Sequence, residues 1–252
     1  MVEVASGLFL GERLLQQDSV ATFEHRPTGT WLLALSDGIG GAGNGHLASR
    51  LIVRSAMASL KLHVGDLASG AEAGDILQSA AQAANRSLAS TVERHPDKSG
   101  MGGTLLLAIV SARRFHYLSI GDSIIFHLSN GATKRVNTLH SLAGGVDALT
   151  TSGRLDANLA RSAAMRSTLT SALTGDKLSK VDASKAGIPI ASGDVLLLAS
   201  DGIETLSEAE LSEVLQIAPL EGAASTAATL IARVERAAVP RQDNVSVIVT
   251  SG

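Results

Sequence analysis

The stretch LLALSDGIGG, residues 32–41, reads as a buried strand that stops at an aspartate with glycine beyond it. Residues 196–203, LLLASDGI, repeat the phrase far along the chain. A single Asp-Gly at the end of a strand is ordinarily a tight turn. The same phrase closing two strands points to a site.

Around these two stretches, short apolar or alternating runs bounded by Gly, Asp or Asn predict strands over 31–35, 104–110, 115–120, 123–129, 194–199 and 244–250. Asn130-Gly131 predicts a tight hairpin, because both residues tolerate positive φ. Apolar spacing predicts helices over 46–63, 74–93 and 220–237, and Ser207 with Glu210 forms a capping box for a further short helix. No linker or repeat divides the chain, and residues 137–168 form its longest stretch without periodicity, the pattern of a functional or mobile loop. Hairpins mixed with amphipathic helices, without a βαβ alternation, predict an α+β layered sandwich in one domain spanning 1–252.

Composition narrows the function classes. With 252 residues and 45% hydrophobic content, the chain has enough apolar mass for one large core. The formal charge is −3 and only 2% of residues are aromatic, so neither the basic face nor the stacking rings of a nucleic-acid binder are expected. The absence of cysteine excludes disulfides, thiolate catalysis and cysteine-ligated zinc. MVEVASGLFLGERLL lacks the pattern of a secretory signal, and apolar runs such as TLLLAIV fall far short of the ~20 residues of a membrane helix. A cytoplasmic protein is expected, without a membrane partner.

Gly38, Gly40, Gly41 and Gly43 satisfy G-x-G-x-x-G between a strand and a helix, which invites a dinucleotide-binding reading. Asp37 opposes it, since a carboxylate beside the loop would repel a pyrophosphate. His46 follows Gly45 where a P-loop requires lysine, and no G-x-S-x-G or H-E-x-x-H motif occurs. The seven histidines are scattered and read as surface or packing residues. The carboxylates are more informative. Asp37, Asp122 and Asp201 follow apolar strands, Asp243 precedes one, and Asp18 lies in ERLLQQDSV. Strand ends on one edge of a sheet can converge, and unpaired carboxylates gathered there repel one another unless divalent cations neutralise them. Oxygen-only ligation suits magnesium or manganese rather than zinc. A pair of such ions suits in-line hydrolysis of a phosphate ester.

The ordered motifs carry a resemblance. ERLLQQD resembles R-x-x-N-E/Q-D, SDGIGG with GHLAS resembles D-G-x-G-G with G-x-x-A-S, and GMGGTLLLAIV resembles M-G-T-T before a strand. IGDSIIFHLSNG resembles a G-D-S-R hairpin, and GDVLLLASDGI and DNVSVIV complete the set. Together, from about residue 10 to 250, they resemble the metal-dependent serine/threonine protein phosphatases of the PPM type, also called type 2C. The resemblance implies a bacterial-like, stand-alone catalytic domain with an α-β-β-α sandwich of two mainly antiparallel sheets flanked by helices. It also implies two tightly bound Mn²⁺ or Mg²⁺ ions and a third, weaker site.

By position, Asp37 resembles the carboxylate that bridges both metals, and Gly38 the residue whose carbonyl binds one of them. Asp201 and Asp243 resemble ligands of the second metal, Asp18 one that acts through water, and Asp122 the ligand of the third ion. Arg13 matches the arginine that holds the substrate phosphate, a job its planar fork suits; without the resemblance it reads as a surface arginine. The sequence departs from the pattern at Gln16 for asparagine, Gln17 for glutamate, Ile39 for the histidine of animal members, and Ile124 for arginine. TLHS at 138–141 leaves His140 without an acidic neighbour, and weaker support around Asp18 is expected. The expected function is hydrolysis of phosphoserine and phosphothreonine on proteins by a metal-activated water. A pseudo-phosphatase that binds a phosphoprotein or kinase without turnover is the alternative. A phosphorylated protein is the implied partner, with a cognate serine/threonine kinase as a further candidate, and a monomer is expected. Residues 137–168 are expected to form a flap beside the site.

Overall fold

In TWLLALSDGI, side chains alternate between two hydrophobic layers, as a strand buried on both faces requires. Leu33 and Leu35 enter one apolar cluster, while Leu32 and Ala34 enter another. The computed structural model describes residues 2–40, 44–69, 72–142 and 168–252. Its strands are β1 (Glu3–Phe9), β2 (Asp18–His25), β3 (Thr30–Ile39), β4 (Gly102–Gly103), β5 (Leu105–Val110), β6 (Arg114–Ile120), β7 (Ile124–Ser129), β8 (Ala132–Arg135), β9 (Asp182–Ala183), β10 (Ile188–Pro189), β11 (Val195–Ala199) and β12 (Val245–Ser251). The long helices are α1 (Asn44–His63), α2 (Ala73–Arg94) and α3 (Glu208–Ala237).

One sheet has the order β1-β12-β11-β7-β8, and the other β10-β6-β5-β3-β2, with β4 on β3 and β9 on β6. Every strand pair is antiparallel. Three apolar layers hold the sandwich together. Leu32, Leu105, Leu107 and their neighbours pack against Ile52, Leu60 and Leu77 of α1 and α2. Leu33, Leu106, Ile125, Leu196, Leu198 and Ile248 fill the space between the sheets. Val195, Leu197, Val247 and Val249 meet Leu211, Leu215 and Leu230 of α3. Each fully buried side chain of this size contributes about 1.5–3 kcal/mol. The result is the α-β-β-α order expected from the sequence.

The predicted strands stand, as does the hairpin, with Asn130 at φ 51° and Gly131 at φ 75°. The Ser207–Glu210 capping box is formed. Three differences have local causes. First, β1 and β2 went unpredicted because each keeps a partly exposed face. Second, the helices expected after Ser207 and over 220–237 are one element, α3, kinked where Gly222 takes φ 84°, ψ 166° after Pro219. Third, α3 is long and apolar enough to cross a membrane by composition alone, but its apolar side packs on the sheet. Most of the expected flap, residues 143–167, lies outside the described residues. Its two ends run side by side, with Ser141 bridged to Leu169 and the amide of Leu142 donating to the carbonyl of Thr168 at 3.0 Å.

Candidate active site

The chain brings its singled-out aspartates to the same end of both sheets. β3 ends there with Asp37, and β2 begins there with Asp18, directly opposite Asp37 in the ladder. In the other sheet, Asp201 follows β11 and Asp243 precedes its neighbour β12. The sequence reading placed the carboxylates on one sheet edge; they lie instead at matching ends of two packed sheets. Asp122 joins the two: it follows β6 of one sheet and precedes β7 of the other, and β7 pairs with β11.

The repeated S-D-G phrase has a mechanical reading at each of its positions. A Cβ on Gly38 would run into the carbonyl of Gly45, and one on Gly202 into the carbonyl of Asn244. Only glycine lets the backbone pass that closely. The serines are fully buried and tie the strand ends. Ser36 Oγ donates to the carbonyl of Thr104 at 2.7 Å. Ser200 Oγ donates to Asp18 Oδ2 at 2.7 Å and accepts from the amide of Ser246 at 2.9 Å. The aspartate between serine and glycine is thereby aimed at the space shared by the two sheets.

Thr104 and Asn244, missed by the sequence reading, complete the scaffold together with His140 and Gln16, which it named only as departures from the motif pattern. Thr104 Oγ1 accepts from the amide of Asp37 at 2.9 Å and bonds Ser123 Oγ at 2.9 Å. His140 Nδ1 accepts from the amide of Gly121 at 3.2 Å, and its own amide donates to the Gly121 carbonyl at 2.8 Å. Gly121 sits at φ 108°, where an added Cβ would press on Thr104. His140, without an acidic sequence neighbour, therefore clamps the turn that carries Asp122. The loop before β2 is equally fixed. Asn244 Oδ1 accepts from the amide of Gln17 at 2.7 Å, and its Nδ2 donates to the carbonyl of Leu10 at 2.7 Å. Gln16 Oε1 accepts from the amide of Asp18 at 2.9 Å, so the unusual glutamine still supports the strand entry. Apart from the local Gln16–Asp18 bond, these are contacts between distant segments, and no spacing rule signals them.

That loop carries Arg13 onto Asp243. Its Nε donates to Oδ1 at 2.8 Å and a terminal nitrogen donates to Oδ2 at 2.6 Å, a parallel fork. The resemblance assigns Arg13 to a phosphate and Asp243 to a metal; here they hold each other.

Charge is crowded at this end. Burial, followed by the fields of Asp18, Asp201, Asp122 and Asp243, pushes the Asp37 carboxyl well above the ordinary carboxylate range, although one edge of the residue stays open to water. Burial and then Asp122, Asp243, Asp18 and Glu204 push Asp201 up to about 8. Burial, with a contribution from Glu204, pushes Asp122 up to about 6. Asp18 is raised by burial against the hydrogen bond from Ser200. Such a cluster is stabilised by a proton or a cation.

The donor set fits a hard divalent ion: carboxylates and the Gly38 carbonyl, with no sulfur and no histidine cluster. Among the described residues, no three acidic or imidazole groups already stand in ligating geometry. Asp243 is drawn to Arg13 and Asp18 to Ser200, so two of the carboxylates already have a partner within the protein.

Comparison with known proteins places the fold and the family. The family model described as Protein phosphatase 2C matches residues 10–242. The serine/threonine protein phosphatase PstP of Mycobacterium tuberculosis is 34% identical over 222 residues, covering 88% of this chain and 40% of PstP. The chain thus spans well under half the length of that curated relative. The serine/threonine phosphatase stp of Listeria innocua is 29% identical over 201 residues, covering 79% of this chain and 77% of that protein. Among solved structures, the catalytic domain of PstP in complex with two manganese ions superposes with a TM-score of 0.78 at 30% identity, covering 99% of this chain and 97% of that one. An antiparallel double sheet with aspartates at one end also removes the dinucleotide reading, which needs a parallel sheet. On these grounds the chain belongs to the protein phosphatase 2C family.

Proposed function

We propose that this chain is a metal-dependent protein phosphatase that hydrolyses phosphoserine and phosphothreonine on proteins. The observation that carries the reading is the gathering of Asp18, Asp37, Asp122, Asp201 and Asp243 at one end of both sheets, where burial and then the neighbouring carboxylates raise the proton affinity of Asp37 and Asp201. Asp37, the Gly38 carbonyl, Asp201 and Asp243 would hold two Mn²⁺ or Mg²⁺ ions, Asp18 would act through water, and Asp122 would serve a third, weaker ion. When bound, the ions supply an activated water and offset charge on the phosphoryl oxygens.

The protein's own groups do the positioning. Arg13, released from Asp243, has the planar fork to grip two phosphate oxygens. Thr104 and Ser36 hold the backbone of β3 so that Asp37 meets the substrate end at a fixed depth. Ser200 keeps Asp18 oriented. Preorganised groups of this kind lower the barrier because they need no rearrangement as charge develops. The presence of every candidate ligand aspartate favours turnover over the pseudo-phosphatase reading. We read the chain as one domain, acting as a cytoplasmic monomer on phosphoproteins and opposing a serine/threonine kinase. The test is hydrolysis of a phosphothreonine peptide with and without manganese. Activity is expected only with the metal, and activity that survives exhaustive metal removal refutes the reading.

A further inference from the structure

Arg50, Arg54, Met57, Ala58 and Lys61 follow one stripe of α1, at the i, i+4, i+7, i+8, i+11 spacing of a helix face. The stripe faces β2, and between them lies a groove of about 430 Å³, floored by Ala21, Val53 and Met57 and rimmed by Arg50, Arg54 and Lys61. No acidic residue lines it. In a chain of net charge −3, this is a localised positive field. Arg50 and Arg54 are exposed and, among the described residues, form no ion pair. Lys61 is steadied at the far end, its Nζ 4.2 Å from the centre of the Phe23 ring.

Position gives the groove its meaning. Ser19, at its near end, follows Asp18, and the first turn of α1 packs through Gly45 on Gly38. β2 is the outermost strand of its sheet, and no described strand pairs with its outer side. From Arg50 to Lys61 the helix rises about 16 Å, the length of about five residues of extended chain. Apolar floor, cationic rim and open strand edge suit a short extended peptide bearing carboxylates. The rim offers no row of exposed rings for stacking bases.

We propose that this groove docks an acidic segment of the phosphoprotein substrate, extended along β2 beside the phosphorylated residue. This rests on the phosphatase reading above and adds a substrate class to it: phosphosites flanked by acidic residues. Charges at such a rim govern encounter and selectivity more than final affinity, so the effect belongs in kcat/KM and weakens with salt.

The test uses the double variant Arg54→Glu/Lys61→Glu, whose positions are exposed, with its unfolding temperature measured beside wild type. Three manganese-supported substrates are compared: a phosphothreonine peptide with an acidic run on either side, the same peptide with neutral flanks, and p-nitrophenyl phosphate. Wild type should favour the acidic peptide, and the variant should lose roughly tenfold in kcat/KM on it alone. No preference in wild type, a preference retained by the variant, or an equal fall on p-nitrophenyl phosphate overturns the proposal. If wild type hydrolyses none of the three, the phosphatase reading fails by itself. Fluorescence anisotropy of the labelled acidic peptide then still decides the groove, by binding in wild type and losing it in the variant. Groove-dependent binding of a single-stranded oligonucleotide without peptide binding would reassign the surface and overturn the proposal.

Discussion

Arg13→Ala should move metal binding and turnover in opposite directions. The guanidinium holds Asp243 through two bonds of 2.8 and 2.6 Å, with the two side chains 53% and 42% exposed. Exposed ion pairs contribute about 0.2–1 kcal/mol, and the parallel fork places this one toward the upper end. A divalent ion that recruits Asp243 must break the pair, so its removal strengthens cation binding by the same free energy, about 1.4- to 5-fold in Kd. A second effect has the same sign. Arg13 lies within the fields of Asp37 and Asp201, and its loss removes a positive charge that repels an incoming cation.

Turnover goes the other way. An arginine that grips phosphate in the ground state lowers KM for charged phosphopeptides, and one that also grips it in the transition state raises kcat. The variant should therefore bind manganese more tightly and hydrolyse phosphopeptide less well. Calorimetric manganese titration, run beside kinetics at saturating manganese, measures both. Equal or weaker manganese affinity with unchanged kcat/KM would refute the idea that Arg13 exchanges Asp243 for phosphate.

Asp37→Asn should lower kcat by roughly 10²–10⁴ and cost more than Asp201→Asn, because Asp37 is assigned to both ions; near-wild-type turnover at limiting manganese contradicts that assignment. Asp122→Ala should leave two tight metal sites and the fold intact while turnover drops and its dependence on high manganese weakens, and calorimetry showing a lost tight site, or kinetics showing no change, removes Asp122 from the third-ion role. In the metal-free protein, the raised carboxyls of Asp201, about 8, and Asp122, about 6, bind protons more tightly than in the unfolded chain. Their contribution to stability is complete below the ordinary value of 3.8 and is lost as pH rises toward 8. Metal-free unfolding temperatures should fall accordingly over that window, manganese binding near pH 7 should release protons, and calorimetry in buffers of different ionisation enthalpy would expose an absence of release.

What the sequence made legible and what it hid divide along a physical line. Strands such as 194–199 and 244–250 announce themselves because burial on both faces makes them continuously apolar, and the Asn130-Gly131 turn because its φ values demand those residues. The edge strand β2 is half exposed, so its apolar positions alternate with polar ones too weakly to stand out from a loop, and Asp18 looked like a loop residue rather than the first rung opposite Asp37. The support around the site was illegible for another reason. Ser200 to Asp18, Asn244 to Leu10 and Gln17, and His140 to Gly121 all link segments distant in the chain, and a hydroxyl or amide carries no sign of its partner.

The Arg13–Asp243 pair sharpens that division. Motif order assigns the two residues to different ligands, a phosphate and a metal, and says nothing of their contact. In the folded chain each occupies the other's binding group, a consequence of Gly11 at φ 62° seating the loop against the backbone of Gln242 and Asp243. When no cation is bound, repelling carboxylates are stabilised by protons and by neighbouring positive charge, and Arg13, paired with Asp243, supplies such a charge. The same side chain can thus stabilise the metal-free cluster and, once a cation takes Asp243, be released toward the phosphate. On this reasoning Gly11→Ala, which would press a Cβ into the Gln242 and Asp243 carbonyls, should displace Arg13 from both partners at once. Metal-free stability and phosphopeptide kcat/KM should then fall together, whereas Arg13→Ala leaves the loop in place. A Gly11→Ala protein with wild-type unfolding temperature and wild-type kinetics would show that the seat of this loop does not govern the exchange.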